Sequence, residues 1–139
     1  MSTKGVERIE HRGLAYAIVL RASASSDEKY NFLTGPESPL QLGFNFYAAG
    51  ETVKAHYHPP RQMETNRFGE FVMVGEGRTK LTLFDADDQT PFVDLELTAG
   101  DMVLLLAGGH GFQMLEPTKI VEIKQGPYDG KSKDKVVFG

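Results

Sequence analysis

Two of the chain's four histidines are separated by a single residue, in the stretch GETVKAHYH at residues 50–58. Residues i and i+2 of a β-strand point to the same side, so His56 and His58 would project together while Tyr57 turns away. A pair of neutral imidazoles presented in this way can bind a divalent metal ion. The same pattern also occurs on half-buried strands with a polar side in water. The pair alone therefore leaves a metal ligand and an incidental surface pair equally open.

A carboxylate and a third histidine mark two further strand ends. Glu70 opens the apolar run EFVMVGEG, and His110 follows the glycine pair in GDMVLLLAGGHGFQML. Glycine permits a tight reversal and a close backbone approach, which would leave the imidazole where the next strand begins. A lone histidine beside apolar residues is more often a structural residue with hydrogen bonds. Taken with His56 and His58, however, these two residues favour a metal site.

The elements that must position these residues are short β-strands. No sustained helical periodicity is present, whereas runs rich in Val, Phe, Leu and Thr recur between Gly, Pro, Asp and Asn. The alternation is clearest in LQLGFNFY, TKLTLF and FVDLEL. We predict strands at Leu14–Arg21, Leu40–Tyr47, Thr52–His58, Gly69–Val74, Arg78–Phe84, Phe92–Leu97, Met102–Leu106, Gly111–Leu115 and Lys119–Lys124. Many short antiparallel strands must protect their edges, so we expect an all-β fold that closes into a barrel or stacks into a sandwich.

Composition limits the function classes. A chain of 139 residues with 40% apolar residues suits one soluble globular domain, which we place at residues 1–139. The net charge of −4 and the scattered lysines and arginines argue against a nucleic-acid partner. Because cysteine is absent, a metal ion must bind His, Asp or Glu. The early apolar run Ala15–Leu20 is too short to span a membrane, and MSTKGVERIEHRG lacks the pattern of a secretory signal. We therefore expect a cytoplasmic protein with no membrane partner.

The order and spacing of the site residues resemble the two motifs of the cupin superfamily. The first motif is matched by Gly50, His56, His58, Glu70 and Gly77, and the second by the segment from Gly100 to His110. The resemblance covers about residues 40–125. It implies a double-stranded β-helix, the jelly-roll barrel of cupins, preceded by an N-terminal strand and loop arm at 1–39 and followed by a C-terminal tail at 126–139. It also implies one metal ion bound by His56, His58, Glu70 and His110.

The chain departs from these motifs in three places. Eleven residues, PPRQMETNRFG, separate His58 from Glu70, where cupins normally have only a few. Either Glu70 keeps the ligand role or Glu64 takes it, and we prefer Glu70 because its distance to Gly77 fits the motif. In the second motif Leu106 stands where proline is usual and Met114 where asparagine is usual, and the segment before His110 is one residue short.

Such a site suggests a metal-dependent enzyme. Three imidazoles and one carboxylate suit Fe, Mn, Ni, Co or Zn and leave coordination positions open for water, substrate or dioxygen. We expect an oxygenase or an isomerase or lyase that acts on a small anionic or carbonyl-containing metabolite. Two alternatives are a binding module that senses a small ligand without turnover, and a metal-free sugar-nucleotide isomerase or epimerase.

Other residues are candidates for contacts with the substrate. Arg61 and Gln62 lie in the enlarged loop, where Arg61 follows two prolines and would be presented to an anionic group, although an exposed surface arginine is at least as common. Glu122 and Lys124 share one face of the strand in IVEIKQG. An inward face would make them an ion pair near the substrate, but base rates favour the outward direction.

Two expectations concern the remainder of the chain. His11 lies outside both motifs, and we expect it to be exposed rather than to be a ligand. The small barrel and its N-terminal arm would bury their edges well in a homodimer.

Overall fold

The structure is a computed structural model that describes residues 3–139. These residues form ten strands and one short helix. The strands are β1 (Thr3–His11), β2 (Leu14–Ser26), β3 (Tyr30–Phe32), β4 (Gly43–Asn45), β5 (Glu70–Glu76), β6 (Arg78–Phe84), β7 (Pro91–Thr98), β8 (Met102–Leu105), β9 (Gly109–Met114) and β10 (Lys119–Lys124), and the helix is α1 (Lys131–Asp134). The chain is therefore all-β, as the sequence predicts.

The strands form three antiparallel sheets. A five-stranded sheet has the order β1-β2-β8-β5-β10, a three-stranded sheet has the order β7-β6-β9, and β3 pairs with β4. Within residues 3–139 none of the three sheets closes on itself. The arrangement of the two larger sheets is that of a sandwich.

The main core lies between the five-stranded and three-stranded sheets. Every second residue of β6, namely Thr79, Leu81 and Leu83, is fully buried, as the alternation in TKLTLF predicts. Their counterparts on the five-stranded sheet include Val72 and Val74 of β5. Burial of this apolar surface stabilises the contact between the two sheets.

The five-stranded sheet is also covered on its other face. Ile18, Leu20 and Leu104 alternate with the residues of the main core and pack with Leu33 in a second cluster. Leu42, which follows in the next segment of the chain, packs against this cluster too. The segment that contains β3 and β4 thus forms a third layer, and the central strands are apolar on both faces for this reason.

Most of the predicted strands are confirmed. The bounds of Arg78–Phe84 and Lys119–Lys124 agree with β6 and β10. The predicted strand at Leu40–Tyr47 is reduced to Gly43–Asn45, and β1 was not among the predicted strands because its TKGVERIEH sequence carries only Val6 and Ile9 as large apolar residues.

The predicted strand at Thr52–His58 is wrong. Residues 46–69 contain no strand, and residues 46–68 are all exposed. We call residues 46–69 the histidine segment. A strand forms only when another strand offers it backbone hydrogen bonds, and the described part of the chain offers no such partner to this segment.

No helix in residues 3–139 is long and apolar enough to cross a membrane.

Candidate functional site

Glu70 and His110 meet at one end of the core. The Oε2 atom of Glu70 lies 3.7 Å from the Nε2 atom of His110. The side chain of Glu70 is 14% exposed and that of His110 is 32% exposed. The two residues come from different sheets, because Glu70 begins β5 and His110 is the second residue of β9.

Strand alternation explains why these two side chains face each other. Glu70 lies on the same face of β5 as Val72 and Val74, which are fully buried in the main core. His110 is paired directly with Leu83 of β6, which is buried in the same core. Both polar side chains therefore extend the inner faces of the sheets beyond the point where apolar packing ends.

Burial shifts the pKa values of both groups towards their neutral forms. It raises the pKa of Glu70, and the nearby carboxylate of Glu122 raises it further, while the ammonium of Lys124 opposes these effects. Burial lowers the pKa of His110, with Glu122 in opposition. At 3.7 Å the contact between Glu70 and His110 is longer than a hydrogen bond. The pair is therefore a close approach of two desolvated groups, and not a strong ion pair.

Two further charged residues lie beside this pair, and the expected outward direction of their strand face is wrong. Lys124 is directly opposite Glu70 in the ladder between β10 and β5, and Glu122 is directly opposite the buried Val72. Residues directly opposite each other share a face of the sheet, so Glu122 and Lys124 lie on the inner face. Val121 and Ile123 point outward and are exposed. Because β10 is at the edge of the sheet, this inner face is only partly covered, so Glu122 is still exposed and Lys124 is half-buried.

A residue of the last segment partners Lys124. The Nζ atom of Lys124 donates a hydrogen bond to Oδ2 of Asp134 at 3.0 Å, and the side chain of Asp134 is only 13% exposed. This pair raises the pKa of Lys124, so its ammonium remains charged. Sequence reasoning missed Asp134 because it lies in the charged stretch KSKDK, which has no pattern that marks one aspartate as buried.

His56 and His58 lie on the exposed histidine segment. Their ring centroids are 5.3 Å apart, and the Nδ1 atom of His56 lies 2.7 Å from the carbonyl oxygen of Lys54. Tyr57 between them is 83% exposed. The two imidazoles are close to each other, but the segment is not anchored in either large sheet.

The four predicted ligands form two separate pairs in the structure. Glu70 lies beside His110, and His56 lies beside His58. Over residues 3–139 no group of three or more His, Asp or Glu side chains is placed so that it could hold a metal ion.

The other candidates in the histidine segment line a separate, open cleft. Arg61, Gln62 and Glu64 are exposed and face a cleft of about 1070 Å³, which Gln125 also lines. Neither Glu70 nor His110 contributes to its lining. The structure therefore does not bring Arg61 or Gln62 to the Glu70–His110 pair.

His11 is not exposed, contrary to expectation. Its ring stacks on Phe92 at 4.0 Å with an interplanar angle of 5°, and its Nε2 atom lies 3.0 Å from Oδ2 of the buried Asp85. Tyr16 packs against both rings edge-on. His11 is thus a packed residue at the end of β1, where it contributes to the contact between the two large sheets.

Comparisons with protein-family models, with curated proteins and with solved structures gave no match to this chain.

Proposed function

We propose that the chain is a small cupin with a double-stranded β-helix fold, and that it binds one divalent metal ion through His56, His58, Glu70 and His110. In this proposal it is an enzyme of the oxygenase or isomerase or lyase type that acts on a small anionic or carbonyl-containing metabolite. The observation that carries the proposal is the 3.7 Å approach of Glu70 and His110 from two different sheets. A carboxylate and an imidazole at this distance are half of the expected ligand set.

The donor atoms suit the ion, but the arrangement in the structure does not yet hold it. Carboxylate oxygen and imidazole nitrogen are ligands for Fe, Mn, Ni, Co and Zn. The lowered pKa of His110 favours the neutral ring that coordinates a metal. Two donors alone do not make such a site, and His56 and His58 lie apart from the pair. Metal binding therefore requires the histidine segment to approach Glu70 and His110.

An anionic ligand in this proposal depends on the charge of the metal ion. Glu122 adds a second carboxylate beside Glu70, and the ammonium of Lys124, directly opposite Glu70, is already paired with Asp134. A bound ion would supply the positive charge that attracts a small anion. Arg61 and Gln62 can contact such a ligand only if the histidine segment moves towards Glu70 and His110.

The experiment that tests the proposal is metal analysis of protein purified without an affinity tag. We expect one equivalent of metal, or its restoration when Fe, Mn, Ni, Co or Zn is added. Glu70→Gln, His56→Ala and His110→Ala should each weaken binding at least about ten-fold, because loss of a ligand removes a coordination bond. Substoichiometric metal that none of the five ions restores would contradict the proposal.

Glu64→Ala is the matched control for the carboxylate ligand. Glu64 is an exposed carboxylate on the same segment as the two histidines, and its removal should leave metal binding unchanged. Loss of metal in Glu64→Ala with retention in Glu70→Gln would reverse the choice of ligand.

A metal-free site is the second candidate function. It is favoured by the separation of the two ligand pairs and by the charged set of Glu70, Glu122 and Lys124 on one inner face. Such a site suits a binding module for a small charged ligand, or an isomerase or epimerase of sugar nucleotides. Metal-free protein that binds or turns over simple oxoacids, diketones or sugar nucleotides would favour this function over the first.

A homodimer belongs to the same proposal. The outer edge of β10 has no strand partner within residues 3–139, and Val121 and Ile123 on its outer face are exposed. A second copy would cover such an edge.

A further inference from the structure

Residues 126–139, which we call the strap, are mostly exposed. Only Gly130, Asp134 and Phe138 are half-buried. Asp134 and Phe138 contact the sandwich, whereas a Cβ at Gly130 would have no atom within 4 Å. The strap therefore lies along the surface of the sandwich and is held at discrete points.

The first contact lies on the inner face of the five-stranded sheet. Asp134 accepts the 3.0 Å hydrogen bond from Lys124, which is directly opposite Glu70 in the ladder. The ring of Tyr128 adds to this contact, since the ammonium of Lys124 lies 5.5 Å from its centroid. The strap is thus held by Lys124, the residue that is paired with Glu70 of the candidate site.

The second contact lies on the three-stranded sheet. The ring of Phe138 meets that of Phe84 at right angles, with 5.1 Å between the centroids. Phe138 also covers Gly109 so closely that a Cβ at this glycine would lie 2.6 Å from the Cζ atom of the ring. Gly109 immediately precedes His110, so this contact is next to the imidazole of the candidate site.

The two contacts lie on opposite sides of β9. Asp134 is on the inner side with Lys124, whereas Gly109 and Phe84 alternate with His110 and Leu83 and so point to the outer side. β9 is at the edge of its sheet. Between residues 134 and 138 the strap therefore passes from one side of β9 to the other near the start of this strand, next to His110.

We infer that the strap crosses β9 at its start, beside His110, and limits the access of small molecules to the Glu70–His110 pair. With the strap in place the side chain of His110 is 32% exposed and that of Glu70 is 14% exposed, and release of Asp134 and Phe138 would widen this access. The role as a gate rests on the proposed function, which makes this pair the working site. The contacts of the strap do not depend on that function.

The test measures the reactivity of individual histidines in metal-free, full-length protein. Diethyl pyrocarbonate acylates neutral imidazole, and mass spectrometry of peptides reports its rate at each histidine. Phe138→Ala removes the second contact and changes no charge. We expect His110 to react about two-fold to ten-fold faster in this variant, because loss of an aromatic pair favours the open strap by that factor. Asp134→Asn, which weakens the first contact, should act in the same direction.

The chain offers controls for both the variant and the reagent. Val137→Ala shortens an exposed neighbour of Phe138 and should leave the rate at His110 unchanged. His56 and His58 are exposed in the same molecule and should react at the same rate in every variant.

An unchanged rate at His110 in both strap variants would overturn the inference, as would an equal increase in Val137→Ala. Because the measurement uses no metal, an increase at His110 supports the strap even when metal analysis contradicts the proposed function. Metal binding with an unchanged rate at His110 would leave the proposed function standing without the gate.

Discussion

Asp101, in the turn between β7 and β8, holds three parts of the chain together. Its carboxylate accepts hydrogen bonds from the backbone N–H groups of Ala22 and Thr98, both at 2.9 Å, and from Arg21 at 3.2 Å. The residue is only 6% exposed. The carboxylate therefore joins β2 to the end of β7.

Removal of this carboxylate should destabilise the protein strongly. Asp101→Ala removes several hydrogen bonds to a charged acceptor that is itself buried, and we expect the free energy of unfolding to fall by about 1–3 kcal/mol. Urea denaturation measures this change. Asp94→Ala is the control, because Asp94 is exposed and accepts only the hydroxyl of Thr82, and its effect should stay within about 0.5 kcal/mol. Equal effects in the two variants would contradict this account of Asp101.

The same carboxylate should make stability depend on pH in acid. Burial raises the pKa of Asp101, but the hydrogen bonds from Thr98, Ala22 and Arg21 together outweigh burial, so the pKa is lowered. A carboxyl with a lowered pKa in the folded state stabilises the protein above its unfolded pKa of about 3.9, and this stabilisation is lost as the pH falls through the folded pKa. Urea denaturation between about pH 5 and pH 2 should show a loss of stability that is smaller in Asp101→Asn. A parallel loss in both proteins would assign the effect to other carboxylates.

At the scale of residues, the sequence predicts which side chains could form a site better than it predicts which residues surround them. Glu70 and His110 could be identified because a polar residue at the end of an apolar strand is conspicuous. The hydrogen bonds of Asp101 with Ala22 and Arg21 could not be predicted, because these residues come close to it only through the pairing of β2 with β8.

The turn between β5 and β6 depends on a glycine. Gly77 has a φ of +89°, which favours glycine, and a Cβ at this position would overlap the carbonyl oxygen of Pro117 and approach the Cα atom of Thr118 to 2.8 Å. The turn and the segment between β9 and β10 can therefore pack closely only without a side chain at residue 77.

Gly77→Ala should thus lower the free energy of unfolding by at least about 2 kcal/mol, through backbone strain and steric overlap. Gly13→Ala is the matched control, since Gly13 has a φ of +76° in the turn between β1 and β2 but no atom within 4 Å of a Cβ. It should lose only about 1 kcal/mol, from the backbone alone. Thermal unfolding of both variants tests the difference. A loss of stability in Gly13→Ala as large as that in Gly77→Ala would show that steric overlap does not contribute.

At the scale of elements, alternation identified strands only where a partner was present. β6 lies between β7 and β9, and its predicted bounds agree with the structure. The histidine segment has a sequence compatible with a strand but no neighbour in residues 3–139 that pairs with it. Local sequence carries the preference of a segment for extended structure, whereas pairing depends on the arrangement of the other strands.

At the scale of the whole molecule, short alternating strands were sufficient to predict an all-β fold with antiparallel sheets. They were not sufficient to predict whether the sheets close into a barrel. Closure of a barrel depends on whether the two outermost edges meet, and this is decided by strand tilt and register over the entire sheet. The two pairs of candidate ligands could not be placed for a similar reason. Each pair lies in one part of the structure, and the two pairs can form one site only where the histidine segment lies next to Glu70 and His110.

The strand order of the five-stranded sheet also has a consequence for synthesis on the ribosome. The apolar strand β2 ends at Ser26, but its partner on the core side, β8, begins only at Met102. β2 can pair with β1 as soon as both have been made, but its other edge stays unpaired until Met102 has been synthesised. Contacts between segments so distant in sequence form slowly, so the growing chain passes through a long interval in which this edge of β2 is open to aggregation or to chaperones.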